Sequence, residues 1–368
     1  MPTGKIRLRD LLLVVYWLFP VSIAAGEGTA GEYLNLPYGE RATAMGESGA
    51  ASVADATALF WNPASLLRAP RTSVVVGRVP YLDGAAKDHL AVSRAIGQGV
   101  LAVGLGSFSH GTFTGTDVEG YPADTLEPKD SQMVLGYARQ FSAFPWLAGY
   151  GGGASVKQVS SQLSNTAKTY CWDVGLLSKG YRDGRLRWGF SSLNNGGKLQ
   201  YNQESEPLSR TLRAGTVWAP AAPWTVSADI VKRTGQPLAL AGGAEYSKIL
   251  GNTVRVFSRG GYTTEQESLN GLRLGLGFEF KSFQMNYAYR FTEDESASHG
   301  IELTFQWDER GKGLPPALQS LIDRGNSYVE SGRYPEAVVV FYDALKMEPA
   351  CRPARDGLER AYRLMQGR

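Results

Sequence analysis

The sequence predicts an all-β fold: about fourteen antiparallel strands closed into a transmembrane β-barrel. An N-terminal hatch or plug precedes the barrel, and a small C-terminal α-helical extension follows it. Three observations predict this. Many segments alternate apolar and polar residues with a period of two, so one face meets an apolar medium and the other a polar one. The connections between those segments alternate short and long, which is the habit of outer-membrane barrels. Abundant glycine (44 residues) and 11% aromatics, at only 43% hydrophobic residues, suit a barrel better than a helical bundle.

The chain opens with a basic stretch, Lys5, Arg7 and Arg9, then the apolar run LLLVVYWLF from Leu11 to Phe19, then small residues from Ser22 to Gly26. This is the pattern of a secretory signal. The run is shorter than the roughly 20 residues a spanning helix needs. Residues 1–25 are therefore expected to be a signal peptide, with cleavage between Ala24 and Gly26. No Cys follows the run, so no lipoprotein anchor is expected.

The strand candidates fall near 72–82, 87–97, 99–111, 130–141, 146–162, 166–180, 185–196, 210–221, 224–235, 238–249, 253–263, 271–280, 283–293 and 298–307. Each is close to the roughly 9–11 residues that cross an outer membrane when tilted. The alternation is plainest at Leu272, Leu274, Leu276, Phe278 and Phe280, set against Arg273, Gly275, Gly277 and Glu279. Stretches 111–129, 197–209, 264–270 and 292–297 read as longer polar loops, and 98, 142–145, 181–184, 222–223, 250–252 and 281–282 as short turns. An even strand number puts both barrel ends, and the aromatic last strand ending Phe305-Gln-Trp307, on the periplasmic side. The polar faces carry Arg187, Arg213, Asp229, Glu279 and Glu302, together with Arg255, Arg259, Arg273 and Arg290. Charges on a barrel's non-lipid face sit in water or pair across the lumen.

Residues 26–70 precede the first strand and are rich in Ala, Gly and Ser, with Leu59, Phe60, Trp61, Leu66 and Leu67 as their apolar residues. A barrel this wide leaves a lumen to be filled or left open, and a small-residue segment fits inside it. Asn62-Pro63 is expected to end one helical turn and begin another, since Asn favours caps and Pro the first turn. Phe60, Trp61, Asn62, Pro63 and Ala64 are the candidate hatch and ligand-path residues.

The run from Tyr38 to Ala64 resembles the N-terminal signature of the PorV/PorQ family of FadL-like outer-membrane proteins. The likeness runs through Arg41-Ala42, Ala44-Met45-Gly46, Ala54-Asp55-Ala56 and Trp61-Asn62-Pro63-Ala64. It is close over the signature and extends to the rest of the barrel only in pattern. It implies a fourteen-stranded barrel closed by an N-terminal hatch. In the FadL branch it implies uptake or display of hydrophobic small molecules, and in the PorV branch a part in protein secretion and surface attachment. Ser65 and Glu47 stand where the family more often has Gly.

After the barrel (71–307) comes a charged, Gly- and Pro-containing linker, 308–316, and then residues 317–368. Gly325, Tyr328, Gly332, Tyr334, Ala337, Phe341, Ala344 and Pro349 fall at the spacing of a tetratricopeptide repeat, and Arg352 to Met365 reads as a third, capping helix. One repeat is below the roughly three that stand alone. The unit is expected to lie in the periplasm, as a structural cap or as the dock for a protein partner.

Nothing in the residues points to catalysis. There is no Gly-x-Ser-x-Gly and no phosphate loop, and the glycines at 149 and 151–153 suit a strand whose side chains must be small. His89, His110 and His299 are scattered, Cys171 and Cys351 have no framework spacing, and no metal or cofactor is expected. A net charge of +3 with 20% charged residues makes no argument for nucleic acid. The leading expectation is an outer-membrane transporter of hydrophobic small molecules, in contact with membrane lipid. The alternative is a scaffold that does not transport but anchors the periplasmic repeat for a secretion or envelope complex.

Overall fold

The computed structural model describes residues 28–116, 121–141, 147–163, 165–182, 184–201, 204–251, 253–265, 271–291, 298–307, 316–347 and 351–366. The leader 1–25, the loops 142–145 and 292–297, the linker before Pro316 and Pro349 of the repeat motif lie outside the described residues. The chain divides into two compact units, one ending at Trp307 and one beginning at Asp308.

The first unit is a closed antiparallel barrel of fourteen strands. They are β1 (Thr72–Pro80), β2 (Ala86–Ile96), β3 (Gly99–Ser109), β6 (Lys129–Gln140), β7 (Gly151–Gln162), β8 (Thr166–Leu177), β9 (Leu186–Asn195), β12 (Thr211–Trp218), β13 (Trp224–Arg233), β14 (Leu238–Leu250), β15 (Val254–Thr263), β16 (Leu272–Phe280), β17 (Phe283–Arg290) and β18 (Ser298–Trp307). Each pairs with its neighbours in the order given, and β1 also pairs with β18, Thr72 opposite Trp307 and Arg78 opposite Ile301, which closes the wall. With no free edge, each strand pairs with a neighbour on both sides, as a bilayer requires.

The period-two segments produce this wall. In β16 the alternation puts Leu272, Leu274 and Leu276 outside and buries Arg273 within. Leu276 is 62% exposed and Arg273 only 3%. In β18, Ile301 faces out while Glu302 is fully buried. The outer face is therefore apolar and the lumen polar, the arrangement of a membrane-spanning barrel.

Two of the long connections are not plain loops. The stretch 111–129 contains a small hairpin, β4 (Phe113–Thr116) with β5 (Pro122–Leu126), and 197–209 contains another, β10 (Lys198–Tyr201) with β11 (Glu204–Pro207). The second departs from the polar loop expected there. Leu199 and Leu208 are buried beside Ala30, Tyr33 and Val159, because the hairpin folds back over the mouth of the lumen.

The second unit is three helices: α3 (Pro316–Glu330), α4 (Tyr334–Met347) and α5 (Arg352–Met365). Phe341 is fully buried at their centre. A side chain at either Gly325 or Gly357 would run into the Phe341 ring, so both glycines let the helices close around it. Gly332, at φ 73°, makes the turn between α3 and α4. Cys171 and Cys351 are buried free thiols, one in each unit.

Candidate functional site

The candidate site is the lumen and the segment inside it. The segment starts at the long-loop end, where Ala30 bridges Leu208, and reaches the other end of the barrel at the start of β1. Between them lie two short helices, α1 (Glu40–Ala44) and α2 (Ala58–Trp61), and a 3-10 turn over Pro63–Arg68. Helix α1 packs against β15 to β18, and the 3-10 turn against β6, β7 and β8.

Asn62-Pro63 builds the corner between α2 and the 3-10 turn. Asn62 is extended (φ −159°), Pro63 occupies the first turn, and the Asn62 Oδ1 accepts from the Ala64 N–H at 3.0 Å. The Asn62 Nδ2 donates to the Ala50 and Leu176 carbonyls at 2.7 and 3.1 Å, so one side chain caps the turn and ties the segment to β8. Asn62 fits there because the wall position facing it, Gly175, has no side chain; a Cβ would collide with its Oδ1.

The two flanks of the segment are held differently. Toward β12–β18 the contacts are charged. Arg41 grips Glu245 with two bonds of 2.9 Å, and Glu245 also accepts from the Arg259 Nε at 2.7 Å. Arg259 further donates to Asn286 at 2.9 Å. Arg273 lies 3.4 Å from the Glu47 carboxylate, Arg290 3.6 Å from Glu40, and the Ala50 N–H donates to Asp229 at 2.8 Å. Toward β1–β7 the contact is mainly apolar: Leu59, Phe60, Trp61 and Leu66 pack with Val75, Ala91, Val100 and Val134, while the buried Lys87 donates to the Pro37 carbonyl and Gln132 donates to the Tyr38 hydroxyl at 2.6 Å. Phe60 stacks on Tyr38 with ring centres 4.2 Å apart. Glycines at 104 and 136 leave room for the Phe60 and Leu59 side chains.

Trp61 joins the two flanks. Its indole N–H donates to the Tyr38 carbonyl at 2.6 Å, its own carbonyl accepts from Ser191 at 2.8 Å, and the Arg213 guanidinium sits 4.7 Å from its ring centre. A cation on an aromatic face in a place with little water contributes roughly 2 kcal/mol. Above Phe60 and Trp61, beneath Leu34–Pro37, is a cavity of about 20 Å³. That is room for one water.

The five candidate path residues, Phe60 to Ala64, are thus all buried in the lumen at this corner. Of the four candidate lumen arginines, 259, 273 and 290 meet the segment or its partners. Arg255 faces the same way at the short-turn end of β15, but it is half exposed and 3.9 Å from Glu279, outside that network. Sequence reasoning did not name Glu40 or Glu245, and named Arg41 and Glu47 only within the family signature, not as ion-pair partners. Charged residues in a segment of Ala, Gly and Ser, opposite a barrel with many inward arginines, were the signal for them. In the tail, Gly325, Ala337, Phe341 and Ala344 meet in the core, with Tyr328 and Tyr334 partly buried against it and Gly332 at the turn.

Among solved structures the chain is similar to TodX, the P. putida toluene transporter, with TM-score 0.51 and 14% identity over 74% of this chain and 99% of that one. The Ralstonia pickettii toluene transporter TbuX gives TM-score 0.51 at 13% identity, covering 73% and 98%, and the monoaromatic hydrocarbon channel CymD gives 0.50 at 13%, covering 74% and 98%. The barrel has the fold of these channels. No family model matches the chain, and no curated protein matches it. Among the described residues no cluster of three or more His, Cys, Asp or Glu could hold a metal ion.

Proposed function

We propose that the chain is an outer-membrane channel for hydrophobic small molecules, closed at rest by residues 26–70. The observation that carries this reading is the split character of the hatch: held by ion pairs against β12–β18, and packed mainly on apolar side chains against β1–β7, where Lys87 and Gln132 add hydrogen bonds. An apolar molecule finds an apolar seam lined by Tyr38, Leu59 and Phe60. Opening that seam parts Lys87 from the Pro37 carbonyl and Gln132 from the Tyr38 hydroxyl but leaves the ion pairs of Arg41, Glu47 and Glu40 intact, and breaking a buried ion pair costs about 3–5 kcal/mol. The 20 Å³ cavity is far below the roughly 150 Å³ that holds a benzene ring, so passage needs the hatch to shift. That the similar solved barrels are toluene and monoaromatic hydrocarbon channels supports the ligand class.

The signature from Tyr38 to Ala64 supports kinship with the PorV/PorQ family, and the leader supports export. On that reading the long loops face outward, lipid covers the apolar wall, and the tail is a tetratricopeptide-like unit in the periplasm that docks a protein through residues 317–368. The number of buried ion pairs holding the hatch favours a second reading, a closed barrel that serves as scaffold for that partner. Uptake of labelled toluene by cells expressing the full chain separates the two. Uptake above the empty-vector level supports the channel. No uptake, with a specific protein recovered on the tail, supports the scaffold.

A further inference from the structure

The outer wall is not uniformly convex. Over β18, β1, β2, β3, β6 and β7 a groove of about 870 Å³ opens on the outside of the barrel. Register sets its floor as one row: Leu303, Val76, Leu90, Leu105 and Met133 are successive cross-strand partners, all pointing out. The row below, toward the short-turn end, is apolar too: Val74, Val92, Val103 and Leu135. Two residues the other way, toward the long loops, the outward row stays apolar at Ile301 and turns polar with Arg78, Asp88, Ser107 and Ser131. That change takes place over about 7 Å of strand.

The polar edge is positive on balance. Arg78 and Lys129 line the groove, with Asp88 as its acid, and Lys168 lies just beyond as the cross-strand partner of Ser160. The Arg78 Nη1 stands 3.2 Å from both Asp88 oxygens, but the pair is exposed, at 67% and 47%, and such pairs contribute little. Arg78 is free to exchange that carboxylate for a stronger anion.

A slot with an apolar floor and cations at one end matches an amphiphile with a fatty chain and an anionic head. We propose that the groove binds a phosphorylated membrane lipid, its acyl chain along Val76, Leu90, Leu105 and Met133 and its phosphate on Arg78 and Lys129. A neutral bulk lipid would leave the cations without a role. A second copy related by a two-fold axis would set the same basic edge against itself, a like-charge contact. The inference rests on the barrel standing in a membrane and not on transport through it.

The test is native mass spectrometry of the full chain in detergent, titrated with phosphatidic acid or with phosphatidylcholine of the same acyl chains. Arg78→Gln/Lys129→Gln is compared with the unchanged protein and with Lys248→Gln on β14, away from the groove. Each cation near a lipid headgroup contributes about fivefold in affinity. The expected result is preference for phosphatidic acid, lowered at least tenfold in the double variant and unchanged in Lys248→Gln. A shift in gel mobility on heating confirms that every variant is folded. Equal binding of both lipids, or a preference that survives the double substitution, overturns the proposal. So does a dimer that forms without lipid and is lost in the double variant, which would assign the groove to a second copy.

Discussion

At Glu47 the backbone is in the left-handed region, φ 67°, directly after Gly46 at φ 68°. Glycine is the usual residue at such a turn, and a non-glycine there costs roughly 1–2 kcal/mol. The side chain offsets that strain by reaching Arg273, which is buried. Glu47→Gly should therefore destabilise the hatch by about 2 kcal/mol although it relieves the backbone, because the buried ion pair between Glu47 and Arg273 is lost. Limited proteolysis of the hatch in detergent checks this: cleavage within 28–70 should speed up, and Glu47→Gln should lie between. If Glu47→Gly protects the hatch, the ion pair contributes less than the strain costs. At this scale the sequence was partly legible. Asn62-Pro63 announced a cap and a first turn, and those are local rules. Arg41 with Glu245 was not legible, because the partners are 204 residues apart and only the closed barrel brings them together.

Strands could be read from the sequence because the signal and the environment share one period. All fourteen barrel strands overlap their expected segments, with ends differing by a few residues. The hairpins β4–β5 and β10–β11 were missed, since four- or five-residue strands in a polar stretch carry too few alternations. The alternation makes a directional prediction for β16. Leu276, in the middle of β16, is 62% exposed on the outer face, so Leu276→Arg puts a charge in the lipid core and should cost about 2–4 kcal/mol. Refolding into vesicles over a urea series measures it. A cost near zero would mean that lipid does not cover this face. In the helical unit, Phe341→Ala removes the side chain that Gly325 and Gly357 enclose, at a cost of about 3–5 kcal/mol. Protease should then clear residues 316–366 of the full chain while the barrel stays intact. Persistence of the tail at wild-type rates would contradict the packing.

For the molecule as a whole, the central claim is that a mobile hatch closes the lumen. Composition and periodicity reached the barrel and the hatch, but the asymmetry of the hatch contacts is a property of the closed ring alone. The hatch parts from the wall on the β1–β7 side, where the Ser73 hydroxyl on β1 lies 3.3 Å from the Ala56 N–H of the hatch, so Ala56→Cys/Ser73→Cys is placed to bridge that seam. The most direct measurement is toluene uptake by cells carrying Ala56→Cys/Ser73→Cys, with and without a reductant. The account predicts that uptake falls to the empty-vector level when the bond forms and returns on reduction, with each single variant unaffected. Uptake unchanged with the bond shown to be formed would contradict it.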